Sequence, residues 1–525
     1  MMFERVLKGG TIIDGTGKAG YVGDIAFENG KIAAIDRGLQ GREELSAAGY
    51  TVTPGFIDIH RHGDAEVFRP GFGELELAQG LTSIVNGVCG LSLAPFGDAH
   101  RDALLRYLQP VTGELDPNIP TGSMGEYLGA LKNLPLNVGM MVGGGTVRSD
   151  VCGYVPEDPT DYAPIHKRIE NALTQGALGV SLGLGYAPEC FYSTDSLIRA
   201  LAPLKDSKYP IAVHMREEGD MVCEAMEEMV TVAKALNCPL RISHLKAMGM
   251  RNWGNKIPTA LGIMERARQE GVDVSCDVYL YEAGSTQLLH LLPPDYLAGG
   301  VDAIVERLRR PEKIDELRYR IATGRDFDNI AQMIGWDNII VSSLPSAEYQ
   351  RVIGKTMTEI ADILSMDPTA CLCKLLADER CAVTMIDKIN SEEDICTILR
   401  DPYSSVISDA TYPAKGLPHP RVYGTYPRLI RRYVLDKKVL TLEEAVRKAT
   451  ALPAKAMGLQ GKGLLQVGMD ADVAVFRPED LRENSTFMEP RQLSTGMEYV
   501  FVAGQIAYHR GKATGTTAGS VLKNH

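Results

Sequence analysis

The sequence predicts an α/β fold: a TIM-type (β/α)8 barrel, with a small β-sandwich built by both chain ends and an inserted lid-like segment. Three observations carry that expectation. The middle of the chain alternates short apolar runs with helical patterns, the sequence form of repeated βα units. Both ends are rich in strand and turn patterns. The metal-capable residues of the middle fall at the ends of its apolar runs, and a barrel gathers its active site at the C-terminal ends of its strands.

At the N-terminal end, residues 6–15 read as a strand and turn, and residues 24–35 as a hairpin around Asn29-Gly30, the strongest short hairpin signal. At the C-terminal end, residues 470–476 and 499–505 read as strands. The middle offers eight strand-like runs: residues 55–60, 82–87, 137–143, 178–183, 210–214, 239–244, 271–279 and 404–409. Helical stretches flank them, for example residues 221–236 and 258–269, the latter opening on Pro258 as suits a first helical position. The expected units are residues 1–53, 54–455 and 456–525. The long gap between the seventh and eighth runs must hold a crossover helix and an insertion, about residues 288–345. That insertion is either a lid over the mouth or a peripheral helical elaboration. A doubly wound open sheet is the competing fold. The absence of a Gly-rich nucleotide loop and the placement of the polar residues favour the barrel.

Bulk properties narrow the function. A chain of 525 residues is too long for one compact core. Its 45% hydrophobic and 23% charged residues are ordinary for a globular protein. The net charge of −12 argues against a nucleic-acid or anionic-membrane partner. No apolar run is long enough to span a membrane, and the first residues lack the pattern of a signal peptide. The ten scattered cysteines read as reduced thiols, so the expected location is the cytoplasm.

The chemistry lies in one constellation. The first run ends in His60-Arg61-His62, and residues two apart in an extended strand face the same side. The second leads into Cys89, the fifth ends at His214, the sixth at His244 and the eighth at Asp409. Each has an ordinary explanation alone: a chance pair of histidines, a buried small hydrophobe, a helix N-cap. Together they put four of the ten histidines at strand ends beside a thiol and a carboxylate. Those are the ligand types of zinc, whose catalytic sites keep one position open for water.

These residues also carry a family likeness. Residues 54–62, Pro-Gly-Phe-Ile-Asp-Ile-His-Arg-His, resemble the signature that opens amidohydrolase barrels. Residues 88–95, 214–220, 243–249, 279–286 and 419–428 resemble segments of the N-acyl-D-amino-acid deacylase (D-aminoacylase) branch, and the similarity extends over nearly the whole chain. The resemblance implies that Cys89, His214 and His244 hold a tightly bound zinc. It implies that His60, His62 and Asp409 form a second, weaker metal position sharing Cys89, with Asp409 as catalytic base. Lys246, Tyr279, Ser285 and Arg421 would hold the carboxylate and backbone of a small-molecule N-acyl amino acid. The implied reaction is hydrolysis of a linear amide to a D-amino acid and a carboxylic acid: the metal acidifies water and polarises the carbonyl, and Asp409 moves the proton. The chain departs from the family pattern near the mouth, with Gly63 before Asp64, Gly144 where a histidine is usual, Leu182 within residues 181–184 and Ala410 after Asp409. These departures bear on substrate identity.

Two other functions compete. A cyclic-amide hydrolase of hydantoinase or dihydropyrimidinase type would use a carboxylated lysine to bridge metals, and no lysine ends a middle run. A non-catalytic scaffold would have lost ligands, and all six are present.

Overall fold

The computed structural model describes residues 2–413 and 415–523. Each of the eight expected runs contains a parallel strand. The strands are Phe56–Asp58, Leu81–Asn86, Asn137–Met140 continued by Val142–Gly143, Val180–Gly183, Ile211–His214, Leu240–Ile242, Val274–Val278 and Ser404–Val406. Each pairs with the next in chain order, from Phe56↔Leu81 to Val278↔Val406. The third strand steps from one sheet to the next at Met141, whose N–H donates to Asn86 O. A parallel bridge between Arg61 and Ala410 joins the extensions of the first and eighth strands. Almost every residue of these strands is buried, as expected for parallel strands covered by helices.

The helix expected over residues 221–236 runs from Val222 to Leu236. The one expected to open on Pro258 begins earlier, at Lys256. Proline is tolerated there because the first turn of a helix has no internal partner for its N–H groups. Among the described residues no helix is long and apolar enough to cross a membrane.

The two β-rich ends form one nine-stranded sheet rather than two separate ones. Thr51–Pro54 from the N-terminal end pairs with Val473–Phe476 from the C-terminal end. This sheet has its own apolar core, including Leu7, Ile25, Phe27, Val473 and Phe501. The predicted hairpin forms with Asn29 and Gly30 both at positive φ, 50° and 74°, the requirement of a tight type I′ turn. The last residues leave the sheet: Leu522 N–H donates to Val138 O, and Ser520 bonds Asn137 beside the third parallel strand.

The insertion is larger than the expected residues 288–345. It has a three-stranded antiparallel sheet of Gly284–Gln287, Ile339–Ser343 and a central Thr384–Asp387, flanked by helices. The central strand closes the unit, and pairing at that distance along the chain leaves no local signal. The crossover helix Glu392–Arg400 follows and leads directly into the eighth strand.

Candidate active site

Parallel pairing brings the C-terminal ends of the eight strands to one side, and the predicted residues converge there. Beyond the first strand, Arg61 N–H donates to Val85 O, His62 N–H to Ala410 O, and Asp409 N–H to His60 O. The chain stays extended through residues 60–62, so alternation puts both imidazoles on one face. Asp409 Oδ1 lies 3.5 Å from His60 Nε2 and 3.3 Å from His62 Nε2. Arg61 points the opposite way, fully buried between Asp58 at 3.2 Å and Glu76 at 2.8 Å.

Cys89, His244 and Asp409 each sit just past a strand with positive φ, at 53°, 35° and 53°. That region disfavours L side chains by ~1–2 kcal/mol, and backbone held there against its preference is a feature of functional sites. It turns the side chains inward. Cys89 Sγ lies 3.2 Å from His60 Nε2 and 3.3 Å from His244 Nε2. His244 Nε2 in turn lies 3.1 Å from His214 Nδ1. The run of contacts continues to Glu218, 3.4 Å from His214 Nε2 and 3.1 Å from His244 Nδ1. Three overlapping groups result, each with ligand atoms within 4.8 Å of one another: His60–Cys89–His244, His60–His62–Asp409 and His214–Glu218–His244.

These donors fit a divalent metal. Burial pushes His60, His214 and His244 well below the ordinary imidazole range, so they are neutral with a lone pair to give. Burial pushes the Cys89 thiol up, and the negative charges of Asp409 and Glu218 push it further, a sign that the cluster is short of positive charge. Burial alone would also raise Asp409, but the Arg421 guanidinium and the His62 hydrogen bond outweigh it and hold the carboxyl well below its usual range. Sulfur, nitrogen and oxygen donors converging without intervening side chains are the makings of a zinc-type site.

The cluster floors a cavity lined by every predicted site residue except His60, which is buried. Arg421 stands on the far wall. Its Nη1 is 3.0 Å from Asp409 Oδ2, its Nη2 donates to Ser285 O at 3.1 Å, and its guanidinium lies 4.8 Å from the Tyr279 ring centre. Yet neither Nη1 nor Nε makes an aligned hydrogen bond, so the Asp409 contact is one of charge. The Tyr279 hydroxyl is also buried without a partner. His419 fixes this wall: its Nδ1 accepts the Arg421 N–H at 3.0 Å, and its Nε2 lies 3.0 Å from Ala283 O. Lys246 lines the same cavity, but its ammonium is held by Glu218 at 2.6 Å and by His244 Nδ1 at 2.9 Å.

Several residues in or beside the site were not singled out from the sequence, Tyr186 and His290 of the cavity lining among them. Glu218 lies within the quoted residues 214–220 but carries no ligand spacing of its own. Asp387 comes from the central strand of the insertion. Glu189 fills the place opened by Gly144, where a Cβ would stand 2.4 Å from its Oε1, and its Oε2 accepts the Gly183 N–H at 2.7 Å. A Cβ at Gly90, next to Cys89, would stand 2.0 Å from that same Oε2. Only the glycine-rich residues 143–145 hinted that something else must occupy this space.

Comparison with known proteins places the chain. The Amidohydrolase family model matches residues 393–508. A D-aminoacylase of Alcaligenes xylosoxydans xylosoxydans is 32% identical, over 99% of this chain and 97% of that protein. The crystal structure of an N-acyl-D-glutamate deacylase from Bordetella bronchiseptica, complexed with zinc and a phosphonate mimic of the tetrahedral intermediate, is 29% identical with a TM-score of 0.83 and covers 100% of both chains. An L-hydantoinase from Arthrobacter aurescens, 16% identical with a TM-score of 0.57 over 100% of both chains, shares the fold alone. The chain belongs to the D-aminoacylase family of the amidohydrolases.

Proposed function

We infer that the protein is a zinc-dependent deacylase of N-acyl-D-amino acids, acting in the cytoplasm on a (β/α)8 barrel. In this reading residues 54–455 form the barrel, residues 1–53 and 456–525 a β-sandwich, and the insertion a lid. One observation carries the functional reading: Asp409 stands between the histidines of a metal-type cluster and a buried cation with free donors, Arg421. Amide chemistry and carboxylate recognition therefore meet at one residue.

Cys89, His214 and His244 would hold a tightly bound zinc, and His60, His62 and Asp409 a second, weaker one. When bound, such an ion supplies a Lewis acid for the scissile carbonyl and acidifies water. Asp409 accepts the proton of the attacking water and returns it to the leaving amine, so that water and amide become a carboxylic acid and a free D-amino acid. Arg421 presents Nη1 and Nε to the α-carboxylate, and the unpartnered Tyr279 hydroxyl and Ser285 complete the grip. Lys246 lies against Glu218 and contacts both Nδ1 and the carbonyl oxygen of His244, so it holds that ligand in place and adds its positive charge to the cavity.

The test is metal analysis of the purified protein together with hydrolysis of N-acetyl-D-amino acids, their L counterparts and hydantoins. Zinc with selective cleavage of the D series is the expected result. A metal-bearing protein that opens hydantoins and leaves linear amides intact overturns the reading.

A further inference from the structure

Asp387 has no role in the mechanism, yet it is a buried acid in the cavity lining with one oxygen that makes no hydrogen bond. It is 2% exposed and lines the cavity. Its Oδ1 has no hydrogen-bond partner. The two cations of the cavity lie against other carboxylates, Lys246 2.6 Å from Glu218 and Arg421 3.0 Å from Asp409. A buried carboxylate left unpaired is costly, and native sites keep such groups where a ligand satisfies them.

Its position says which part of a ligand. Asp387 is the register partner of Gly284, one residue before Ser285, whose carbonyl Arg421 binds. A Cβ on Gly284 would stand 2.9 Å from Asp387 Oδ1 and 3.4 Å from the Tyr279 hydroxyl. Two unpartnered polar atoms therefore flank the same glycine. The hydroxyl belongs with the carboxylate grip, and Asp387 lies one strand further along the wall. An amino-acid side chain that runs along this wall from an α-carboxylate held by Arg421 and Tyr279 would meet Asp387. Met248 and Ile389 line the cavity too, giving an apolar wall for an alkyl stem.

We propose that Asp387 sets substrate specificity by accepting an N–H donor at the end of the D-amino-acid side chain. The preferred substrates are then N-acyl-D-amino acids with a basic or carboxamide side chain, D-lysine and D-glutamine being the probes. An acidic side chain would meet Asp387 as a like charge, and an alkyl one would leave it unpaired. The assignment rests on the deacylase reading and goes beyond it in naming the substrate class.

The experiment compares kcat/KM for N-acetyl-D-lysine, D-glutamine, D-glutamate, D-norleucine and D-alanine on wild type, Asp387→Asn and Asp387→Leu. Wild type should favour lysine and glutamine over norleucine by roughly tenfold or more, the scale on which a site built for a hydrogen bond rejects an analogue lacking it. Glutamate should be the poorest substrate. Asp387→Asn should erase the preference for lysine over norleucine, and Asp387→Leu should invert it. Circular dichroism and a urea midpoint matching wild type show that the variants are folded, and D-alanine, which carries no side-chain donor, gauges turnover without the Asp387 contact. Cleavage of alanine with glutamate or norleucine matching lysine and glutamine in wild type overturns the Asp387 assignment and leaves the deacylase reading standing. No cleavage of any member by wild type overturns the deacylase reading, and the assignment with it.

Discussion

Arg421 Nη1 lies 3.0 Å from Asp409 Oδ2, and this contact ties the proposed base to the proposed carboxylate grip. Arg421 is fully buried and has two donors without aligned acceptors, Nη1 and Nε. A substrate carboxylate that takes those donors draws charge from Asp409 as it binds.

The first prediction follows from that geometry. Arg421→Ala should lower kcat/KM on an N-acyl-D-amino acid by roughly tenfold to a few hundredfold, the equivalent of ~1.5–3 kcal/mol for a charge-assisted hydrogen bond. The loss should shrink on the corresponding carboxamide, which has no charge to hold. Equal losses on acid and amide in a two-by-two comparison would assign Arg421 to holding Asp409 rather than the substrate.

Asp409 is touched by both histidines of the first strand and by Arg421. Asp409→Asn should reduce kcat by ~10²–10⁴-fold, the range for loss of a general base, while the zinc proposed at Cys89, His214 and His244 stays in place. Stopped turnover with metal content retained supports the assignment; near-normal turnover assigns proton transfer to another group.

Cys89 supplies the one sulfur of the cluster and touches both His60 and His244. Purified Cys89→Ala should lose most of its zinc by elemental analysis. Full retention would remove Cys89 from the metal site.

Glu189 yields a stability prediction. Burial raises its carboxyl from 4.5 to about 7, against the lowering effect of the Gly183 N–H. Between those values the folded protein keeps a proton that the unfolded chain releases, so this group makes stability fall as pH rises from 4.5 to 7. The slope it contributes is at most ~1.4 kcal/mol per pH unit. Glu189→Gln should flatten the wild-type decline in urea midpoint across that window. Parallel curves for the two proteins would mean that Glu189 is ionised throughout.

Arg61 gives a test unconnected with turnover. It alternates with His60 and His62 but faces away, between Asp58 and Glu76. Arg61→Met should cost about 3–5 kcal/mol, because it leaves two buried carboxylates without their cation. A denaturation midpoint unchanged from wild type would show that those acids are protonated in the folded protein.

Much of the site was legible in the sequence because its signals are local. Strand periodicity located all eight parallel strands, and the placement of His60, His62, Cys89, His214, His244 and Asp409 at or just past their ends follows from the geometry of a strand end. The roles of Lys246, Tyr279, Ser285 and Arg421 came only from family resemblance. The structure places all four around the cavity but commits the Lys246 ammonium to Glu218 and His244. Asp387 left no trace because its function depends on pairing with Gly284, far away along the chain.

The sequence by itself determined the α/β class, the β-rich ends and the residue types of a metal-dependent amide hydrolase, because periodicity, turn chemistry and strand-end ligands are written in neighbouring residues. Only the tertiary structure decided which donors share a contact, that Arg61 pairs with Asp58 and Glu76, that Glu189 occupies the space left by Gly144, and that Asp387 lines the cavity with an unpartnered oxygen. Each of these depends on pairing between distant segments, and the close packing of a buried interior settles which side chain fills which space.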